Sequence, residues 1–173
     1  FKPGSGKEVV VAVGPAYGAG IRRTINGLDH EQVLAAILTG IAREGLVGRI
    51  MKVYHTADLG RISHTGARFS GSGIAIGIQS RGTAIIQKAG LSPLNNLELF
   101  PQSPSLTLEI YEAIGRNAAI YAQNRLANPV AVKVDNTARL RWIVKTALLH
   151  RREVDEVRNR PPVELLFNWE PDL

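Results

Sequence analysis

The chain has 173 residues, of which 45% are hydrophobic, and this supplies enough apolar material for the core of one globular domain. Its net charge of +6 favours an anionic partner such as a phosphate or an acidic protein surface, while an aromatic content of 6% argues against single-stranded nucleic acid. The lack of cysteine excludes disulfides, thiolate metal sites and a thiol nucleophile, and it is compatible with a cytoplasmic location. No apolar run approaches the roughly 20 residues of a membrane span and no secretory signal precedes the first strand, so we expect no membrane association.

The first half of the chain alternates between strand and helix signals. A glycine-rich tail leads into a β-branched run that begins at Glu8 and predicts a buried strand. Asp29, with Gln32 three residues later, forms a capping-box-like start for an amphipathic helix that Gly45 ends. The predicted elements of this half are strands over 8–13 and 49–54 and helices over 29–45 and 58–69.

The order of these elements determines the predicted fold class. Strand, helix and strand in succession indicate a parallel pair joined by a right-handed crossover. We therefore predict an α/β fold, in which a mainly parallel sheet is flanked by helices in a Rossmann-like, three-layer arrangement with a helical C-terminal segment. The predicted division is an N-terminal tail (1–7), an α/β domain (8–128), and a C-terminal helix and tail (129–173) that pack on the same domain.

The middle of the chain carries the predicted ligand-binding elements. Two short isoleucine-rich runs, near 74–78 and 85–86, predict strands on either side of the turn 79–82, which sets amide, hydroxyl and guanidinium groups where backbone can approach a ligand closely. The following stretch, 91–104, contains three prolines and two adjacent asparagines. This composition predicts a fixed, irregular loop that presents carbonyl and amide groups.

Helical patterns dominate the C-terminal third. An apolar stripe predicts a helix from about 108 to 122, before Asn128-Pro129, and a second helix is predicted from about 137 to 157. Apolar positions of the second helix suit packing against the body or against a neighbouring subunit: Leu140, Ile143, Val144, Ala147 and Leu148. Its basic residues, interrupted by three acids, are typical of a solvated helix face with ion pairs. The tail over 163–169 is short, apolar and typical of a sheet edge.

Few residues suggest independent chemistry. The four histidines lack metal-ligand spacing, so we expect structural or surface roles for them: His30, His55, His64 and His150. A phosphate loop is excluded because Glu8 follows Gly6-Lys7, and neither a dinucleotide fingerprint nor a serine nucleophile elbow is present. Asp58 and Glu98 would form an acid and base pair only if the fold brought them together, and Asp58 is equally suited to an N-cap. The residues alone describe a binding module better than an independent enzyme.

Several linked motifs resemble one family. Segment 71–83 reads Gly-Ser-Gly-Ile-Ala-Ile-Gly-Ile-Gln-Ser-Arg-Gly-Thr, and segment 96–102 reads Asn-Leu-Glu-Leu-Phe-Pro-Gln. Both are similar to the medium (beta) subunit of adenosylcobalamin-dependent diol and glycerol dehydratases. The similarity runs from about 8 to 150 and includes further short motifs at 11–16, 115–119 and 147–150.

The resemblance implies a specific assembly and reaction. Large, medium and small subunits would form a dimer of heterotrimers that converts 1,2-diols or glycerol to aldehydes by a radical mechanism. The large subunit would hold the substrate, while this chain, through its 8–128 domain, would hold the nucleotide-tail side of adenosylcobalamin without catalytic residues of its own. A reactivating factor is a further implied partner, and the implied location is the cytoplasm, within a bacterial microcompartment in some relatives.

The resemblance also implies the cofactor contacts. They are Asp58, Ser80, Arg81, Thr83, Leu94, Asn96, Pro101, Gln102, Ser103, Arg139 and Trp142. Arg81 stands where the family usually has lysine, and either cation suits the phosphodiester of the nucleotide tail. Trp142 stands where the family has tyrosine. Because no histidine lies in an Asp-x-His-x-x-Gly motif, we expect the cofactor's own benzimidazole to stay on cobalt, in the base-on mode.

Alternatives remain at this stage. Arg81 is also compatible with a purely structural turn, and loop 94–103 with a subunit contact. The competing assignment is the small subunit of the dehydratase-reactivating factor, a chaperone for cobalamin exchange that shares the strand, turn and strand core. A third possibility is an unrelated α/β anion-binding module.

Overall fold

One six-stranded sheet with helices on both faces organises the chain. A computed structural model describes residues 2–101, 106–133 and 135–170, with the backbone alone for Arg139. The strands are β1 (Glu8–Val13), β2 (Val47–Lys52), β3 (Ile74–Ile78), β4 (Ala84–Lys88), β5 (Glu98–Phe100) and β6 (Val163–Leu165). The helices are α1 (His30–Arg43), α2 (Leu59–Phe69), α3 (Leu108–Ala122), α4 (Asn136–Arg141) and α5 (Ile143–Asp155). This confirms the predicted α/β class.

The sheet has a parallel core and antiparallel edges. Its strand order is β5-β4-β3-β1-β2-β6, and β1 pairs in parallel with both β2 and β3. β4 pairs antiparallel with β3 because the short turn between them permits only a hairpin, and β5 and β6 add to the sheet in the same antiparallel sense. The crossover through α1 takes the chain from β1 to β2 on one side of β1, and the crossover through α2 returns it to β3 on the other side. The carboxyl ends of β1 and β3 therefore form a topological switch point.

The two faces of the sheet contact different helices. Val9, Val11 and Val13 on one face of β1 belong to the main core with α1 and α3, whereas Val10 and Ala12 on the other face pack in the smaller core against α2. This alternation follows from the period of two in a strand. The three-layer arrangement is therefore present.

Small residues let the helices approach closely. A side chain at Gly77 of β3 would overlap the backbone of Ser63 in α2, so only glycine permits this contact. The α1–α3 crossing is equally close, because a side chain at Gly115 would overlap the carbonyl of Ile37 and one at Gly40 would overlap that of Glu112. Glycine at these positions sets the spacing between the layers.

Several predicted boundaries were wrong, each for a physical reason. β2 begins and ends two residues earlier than predicted, since its register is set by pairing with β1. Asp29 is the N-cap residue of α1 but makes no capping bond, because its carboxylate binds the Nε of Arg23 at 2.8 Å. The predicted C-terminal helix divides at Trp142 into α4 and α5. Loop 91–104 contains the short strand β5, which hydrogen-bonding to β4 stabilises.

The C-terminal helices expose their apolar stripe. Leu140, Ile143, Val144 and Leu148 are 72%, 59%, 67% and 62% exposed. Of the two predicted roles for this stripe, packing against the chain's own body is therefore wrong. Within the ranges that the structure describes, no helix is long and apolar enough to cross a membrane.

Candidate functional site

The site is built around the turn that follows β3, residues 79–83, which we call the β3 turn. The backbone N–H of Gly82 donates to the carbonyl of Gln79 at 2.9 Å, and the N–H of Gln79 donates to the carbonyl of Thr83 at 3.0 Å. Gly82 has a φ of 103°, which favours glycine, and the hydroxyl of Tyr111 donates to its carbonyl at 2.7 Å. The buried side chain of Tyr111, from α3, thus holds the turn in this conformation.

Two polar atoms of the β3 turn are buried without a partner. The side chain of Gln79 donates from Nε2 to the carbonyl of Ala57 at 2.8 Å, which leaves its Oε1 unbonded. The Oγ of Ser80 is likewise unbonded, and these two are the atoms of this kind among the residues that the structure describes. An unsatisfied buried polar atom costs about 1–3 kcal/mol, so such atoms indicate a position where a ligand or a water binds.

Arg81 places a half-buried cation beside these atoms. Its Nε donates weakly to the Oγ1 of Thr83, at 3.4 Å. Burial lowers the pKa of the Arg81 guanidinium, and the carboxylate of Glu153 acts in the opposite direction. Arginine nevertheless remains protonated in proteins. Among the described residues no carboxylate forms an ion pair with Arg81, so its donors are available to an anion.

The carboxylate of Glu153 fills the switch-point crevice. It reaches in from α5, accepts from the N–H of Ala16 at 3.2 Å and of Ser80 at 2.9 Å, and is only 2% exposed. A side chain at Gly14 would overlap this carboxylate, which explains the glycine at the end of β1. The crevice in which α/β folds usually bind ligands is therefore occupied here by the chain's own carboxylate.

Lys52 adds a second cation near this carboxylate. It is 7% exposed and its Nζ donates to the carbonyl of Tyr17 at 2.9 Å. Burial lowers the pKa of Lys52, while Glu153 and Glu156 oppose that shift. The positive charge of Lys52 thus attracts the Glu153 carboxylate and helps to hold it in place.

His30 supports the β3 turn from the side of α1. Its Nδ1 accepts from the N–H of Gly18 at 3.0 Å, which leaves Nε2 to carry the proton and donate to the carbonyl of Ser80 at 2.7 Å. The ring stacks on Tyr17 with centroids 3.7 Å apart. Burial lowers the pKa of His30 to about 4, so the ring is neutral near neutral pH. The predicted structural role is confirmed for this histidine.

Other predicted contacts lie close to the β3 turn. Asp58 caps α2 by accepting from the N–H of Arg61 at 2.8 Å, and the Gln79–Ala57 bond ties this helix start to the turn. The carbonyl of Pro93 packs against Gly60, which brings in the proline-containing loop. On that loop, Leu94 is 91% exposed, Asn96 is half-buried and Pro101 is exposed, while Gln102 and Ser103 lie outside the described residues.

Trp142 belongs to a depression whose described lining does not include the β3 turn. It lines this open depression together with Asn26, Leu28 and Leu106–Glu109. The link to the β3 turn runs through Ile25, whose N–H donates to the carbonyl of Arg81 at 3.0 Å. The backbone of Arg139 belongs to α4, one turn before Trp142.

Glu98 has a structural role. One carboxylate oxygen accepts from Asn117 at 2.9 Å and from Tyr121 at 2.8 Å, and the other accepts from the N–H of Val130 at 2.9 Å. Asp58 in turn is committed to its helix cap. The structure therefore gives no support to an acid and base pair of these two carboxylates, and no group of three or more His, Asp or Glu side chains in the described part of the chain could hold a metal ion.

Sequence reasoning missed two supports of the site, Glu153 and Lys52. Glu153 was grouped with the solvated acids Asp155 and Glu156, but only those two behave that way, in exposed pairs with Arg151 at 2.9 Å and Arg158 at 3.6 Å. Lys52 is the last residue of β2, and because charged residues are common at strand ends, its position gave no signal of a role at the site. Gln79 was already part of the predicted turn, where its amide directly follows a run of five buried strand residues.

The family model of the dehydratase medium subunit matches residues 14–127, which is well over half of the chain. The chain belongs to the dehydratase medium-subunit family. The matched range includes the β3 turn and the proline-containing loop, so the resemblance predicted from these motifs is confirmed. For a member of this family, other dehydratase subunits are the expected partners.

Two solved structures share the fold of this chain. A glycerol dehydratase reactivase is 14% identical with a TM-score of 0.56, over 72% of this chain and 97% of that chain. A diol dehydratase-reactivating factor, complexed with ADP and Mg²⁺, is 16% identical with a TM-score of 0.51, over 74% of this chain and 99% of that chain. At these identities the similarity shows the fold alone.

Proposed function

We propose that this chain is the medium subunit of a coenzyme B12-dependent diol or glycerol dehydratase and that the β3 turn holds the nucleotide-tail side of adenosylcobalamin. The family match supports the subunit assignment. The observation that carries the cofactor role is the pairing, within one turn, of a half-buried Arg81 with two unbonded buried polar atoms. Adenosylcobalamin, when bound, supplies the radical chemistry that removes water from a diol.

The residues present fit the chemistry of this cofactor. A phosphodiester needs a fixed cation, and the Arg81 guanidinium presents donors that match phosphate oxygens. Corrin side-chain amides need both donors and acceptors, which the Oγ of Ser80 and the Oε1 of Gln79 supply. Asn96 and the exposed Leu94 on the neighbouring loop suit contacts with an amide and an apolar ring edge.

The supporting residues of the chain keep these groups in position. His30, Glu153 and Tyr111 bind the backbone of residues 80 and 82, so Arg81 is held between two fixed neighbours. Such fixed donors lose little entropy when an anion binds. The proposed base-on mode follows from the lack of a histidine ligand motif, since no side chain of that motif competes for cobalt.

Replacing Arg81 with alanine tests the cofactor role. In a complex reconstituted with the large and small subunits, we expect hydroxocobalamin to bind about 10- to 100-fold more weakly, because a charge-assisted contact is worth about 1.5–3 kcal/mol. Equilibrium dialysis of the corrin absorbance measures this without turnover. Arg68→Ala, which removes an exposed cation from the end of α2, is the matched control. Unchanged binding in R81A contradicts the cofactor role.

The reactivating-factor small subunit is the alternative function. The shared fold supports this alternative only weakly, whereas the family match favours the dehydratase subunit. Co-purification decides between the two. A partner of large-subunit size with bound corrinoid indicates the dehydratase, and an ATPase partner indicates the reactivating factor.

A further inference from the structure

The outer side of α5 combines cations with exposed apolar side chains. Lys145, Leu149 and Arg152 follow one another at helical spacing and line an open depression between α5 and the loop 19–24. Arg22 and Arg23 line the same depression from the loop. Val144 and Leu148 lie one position before Lys145 and Leu149, beside this row. We call these seven side chains the α5 surface.

Two cations of the α5 surface are held in place by hydrogen bonds. The Nζ of Lys145 donates to the carbonyl of Ile25 at 2.8 Å, and Nη2 of Arg152 donates to the carbonyl of Gly20 at 2.6 Å. Each bond uses one donor of a group that has several, so the charge remains available to an anion. Clustered cations that are fixed in this way repel one another unless an anion binds between them.

Acidic side chains nearby do not neutralise this charge. Asp29 pairs with Arg23, and Asp155, which lies in line with Val144 and Leu148 on α5, pairs with Arg151. Glu156 approaches Gly20 at the rim of the depression and pairs with Arg158 at 3.6 Å. Three further cations, Arg22, Lys145 and Arg152, therefore have no ion-pair partner among the salt bridges of the described residues.

The apolar part indicates a polypeptide as the partner. Val144 and Leu148 are 67% and 62% exposed, although large apolar side chains next to each other at a surface usually mark an interaction site. A small anion would leave them in water. A helix with apolar residues three or four positions apart and acidic residues beside them would cover both parts of the surface at once.

We propose that the α5 surface docks an acidic amphipathic helix of another subunit of the same dehydratase. The identity of the partner rests on the proposed function. The place of contact rests on charge complementarity between the cations of the α5 surface and an acidic partner. Carboxylates of the docking helix would bind Arg22, Lys145 and Arg152, and its apolar face would cover Val144 and Leu148. A second copy of this chain does not suit the surface, because cations would then face cations.

The test uses the chain assembled with the large and small subunits. We expect Val144→Ser with Leu148→Ser, and separately Arg22→Glu with Arg152→Glu, to weaken assembly at least about tenfold in native mass spectrometry and sedimentation. The serine pair changes side chains that are mostly exposed, so we expect it to fold even if R152E loses the bond to Gly20. The control, Arg68→Glu with Lys88→Glu, makes the same charge change on exposed residues of α2 and β4.

The outcomes separate the two proposals. Weaker assembly in both α5 pairs and not in the control, with hydrogen-exchange protection of residues 143–152 in the wild-type complex, supports the docking site. Normal assembly of both α5 pairs overturns the docking site and leaves the proposed function intact. An equal effect of the control also overturns it, because net charge would then explain the loss. If the wild-type chain does not assemble with dehydratase subunits at all, the proposed function itself fails.

Discussion

Replacing Glu153 with glutamine removes the charge from the carboxylate that joins α5 to the sheet. The side chain keeps its size, so the change isolates the two backbone bonds to Ala16 and Ser80. Of the 13 residues of α5, all of which are described, only Glu153 is buried. Glu153 is therefore the one buried attachment of this helix, beside the more exposed bonds of Lys145 to Ile25 and of Arg152 to Gly20.

The magnitude follows from the hydrogen bonds. A glutamine amide oxygen still accepts from one N–H, but as a neutral acceptor, which costs about 1 kcal/mol relative to a carboxylate. Its NH₂ group then faces the other N–H, and that buried donor loses its partner at a cost of about 1–3 kcal/mol. The lost attraction to Lys52 and Arg81 acts in the same direction. We expect E153Q to lower the free energy of unfolding by about 2–4 kcal/mol, a large share of the stability of a domain.

Urea denaturation followed by circular dichroism measures this change, and hydrogen exchange at the Ser80 amide shows whether α5 detaches before the sheet unfolds. Asp155→Asn is the matched control, because it makes the same carboxylate-to-amide change two residues away. Its ion pair with Arg151 has side chains that are 54% and 77% exposed, and such pairs contribute about 0–1 kcal/mol. If E153Q and D155N unfold at the same urea concentration and Ser80 keeps its protection, the carboxylate does not attach the helix.

Two further predictions test the supports around the site. Because burial lowers the pKa of His30 to about 4 from about 6.5, the unfolded state binds a proton first on acidification, so stability is retained above pH 6.5 and is lost as the pH falls towards 4. We expect a loss of about 2 kcal/mol between pH 7 and pH 5 in urea titrations, and a flatter pH profile in His30→Gln would confirm its source. Gly115→Ala should destabilise the α1–α3 crossing by about 1–3 kcal/mol, since the new methyl overlaps the carbonyl of Ile37. A thermal midpoint equal to or above wild type, as helix propensity alone predicts, would contradict this reading of the crossing.

The sequence predicted those elements whose signals are local. β1 and β3 are rich in β-branched residues and are buried on both faces, and such runs can be recognised as strands from the sequence alone. The division at Trp142 was not visible, because the apolar helical pattern continues across it and the break has no proline or glycine. The shift of β2 was not visible either, since Val47 and Gly48 become strand residues only by pairing with β1.

The candidate site was predictable in part for the same reason. The β3 turn stands out because polar residues and Gly82 interrupt a buried strand pair. Glu153 and His30 reach this turn from residues 73 and 50 positions away, and no pattern of charges along α5 or α1 specifies that distance. Supports of this kind belong to the tertiary structure, and a family resemblance suggests candidate contacts without indicating which residues hold them in position.

The two sides of α5 connect assembly with the proposed cofactor site. Its inner side holds Ser80 through Glu153, and its outer side carries the apolar stripe and the cations that we propose to dock another subunit. In the unassembled chain, the exposed face of α5 contributes little to stability, because apolar side chains in water contribute no burial energy. A helix docked on that face would hold α5 on the sheet and so hold the carboxylate against the N–H of Ser80. On this reasoning, partner binding stabilises the β3 turn, and the guanidinium of Arg81 is most firmly positioned in the assembled enzyme.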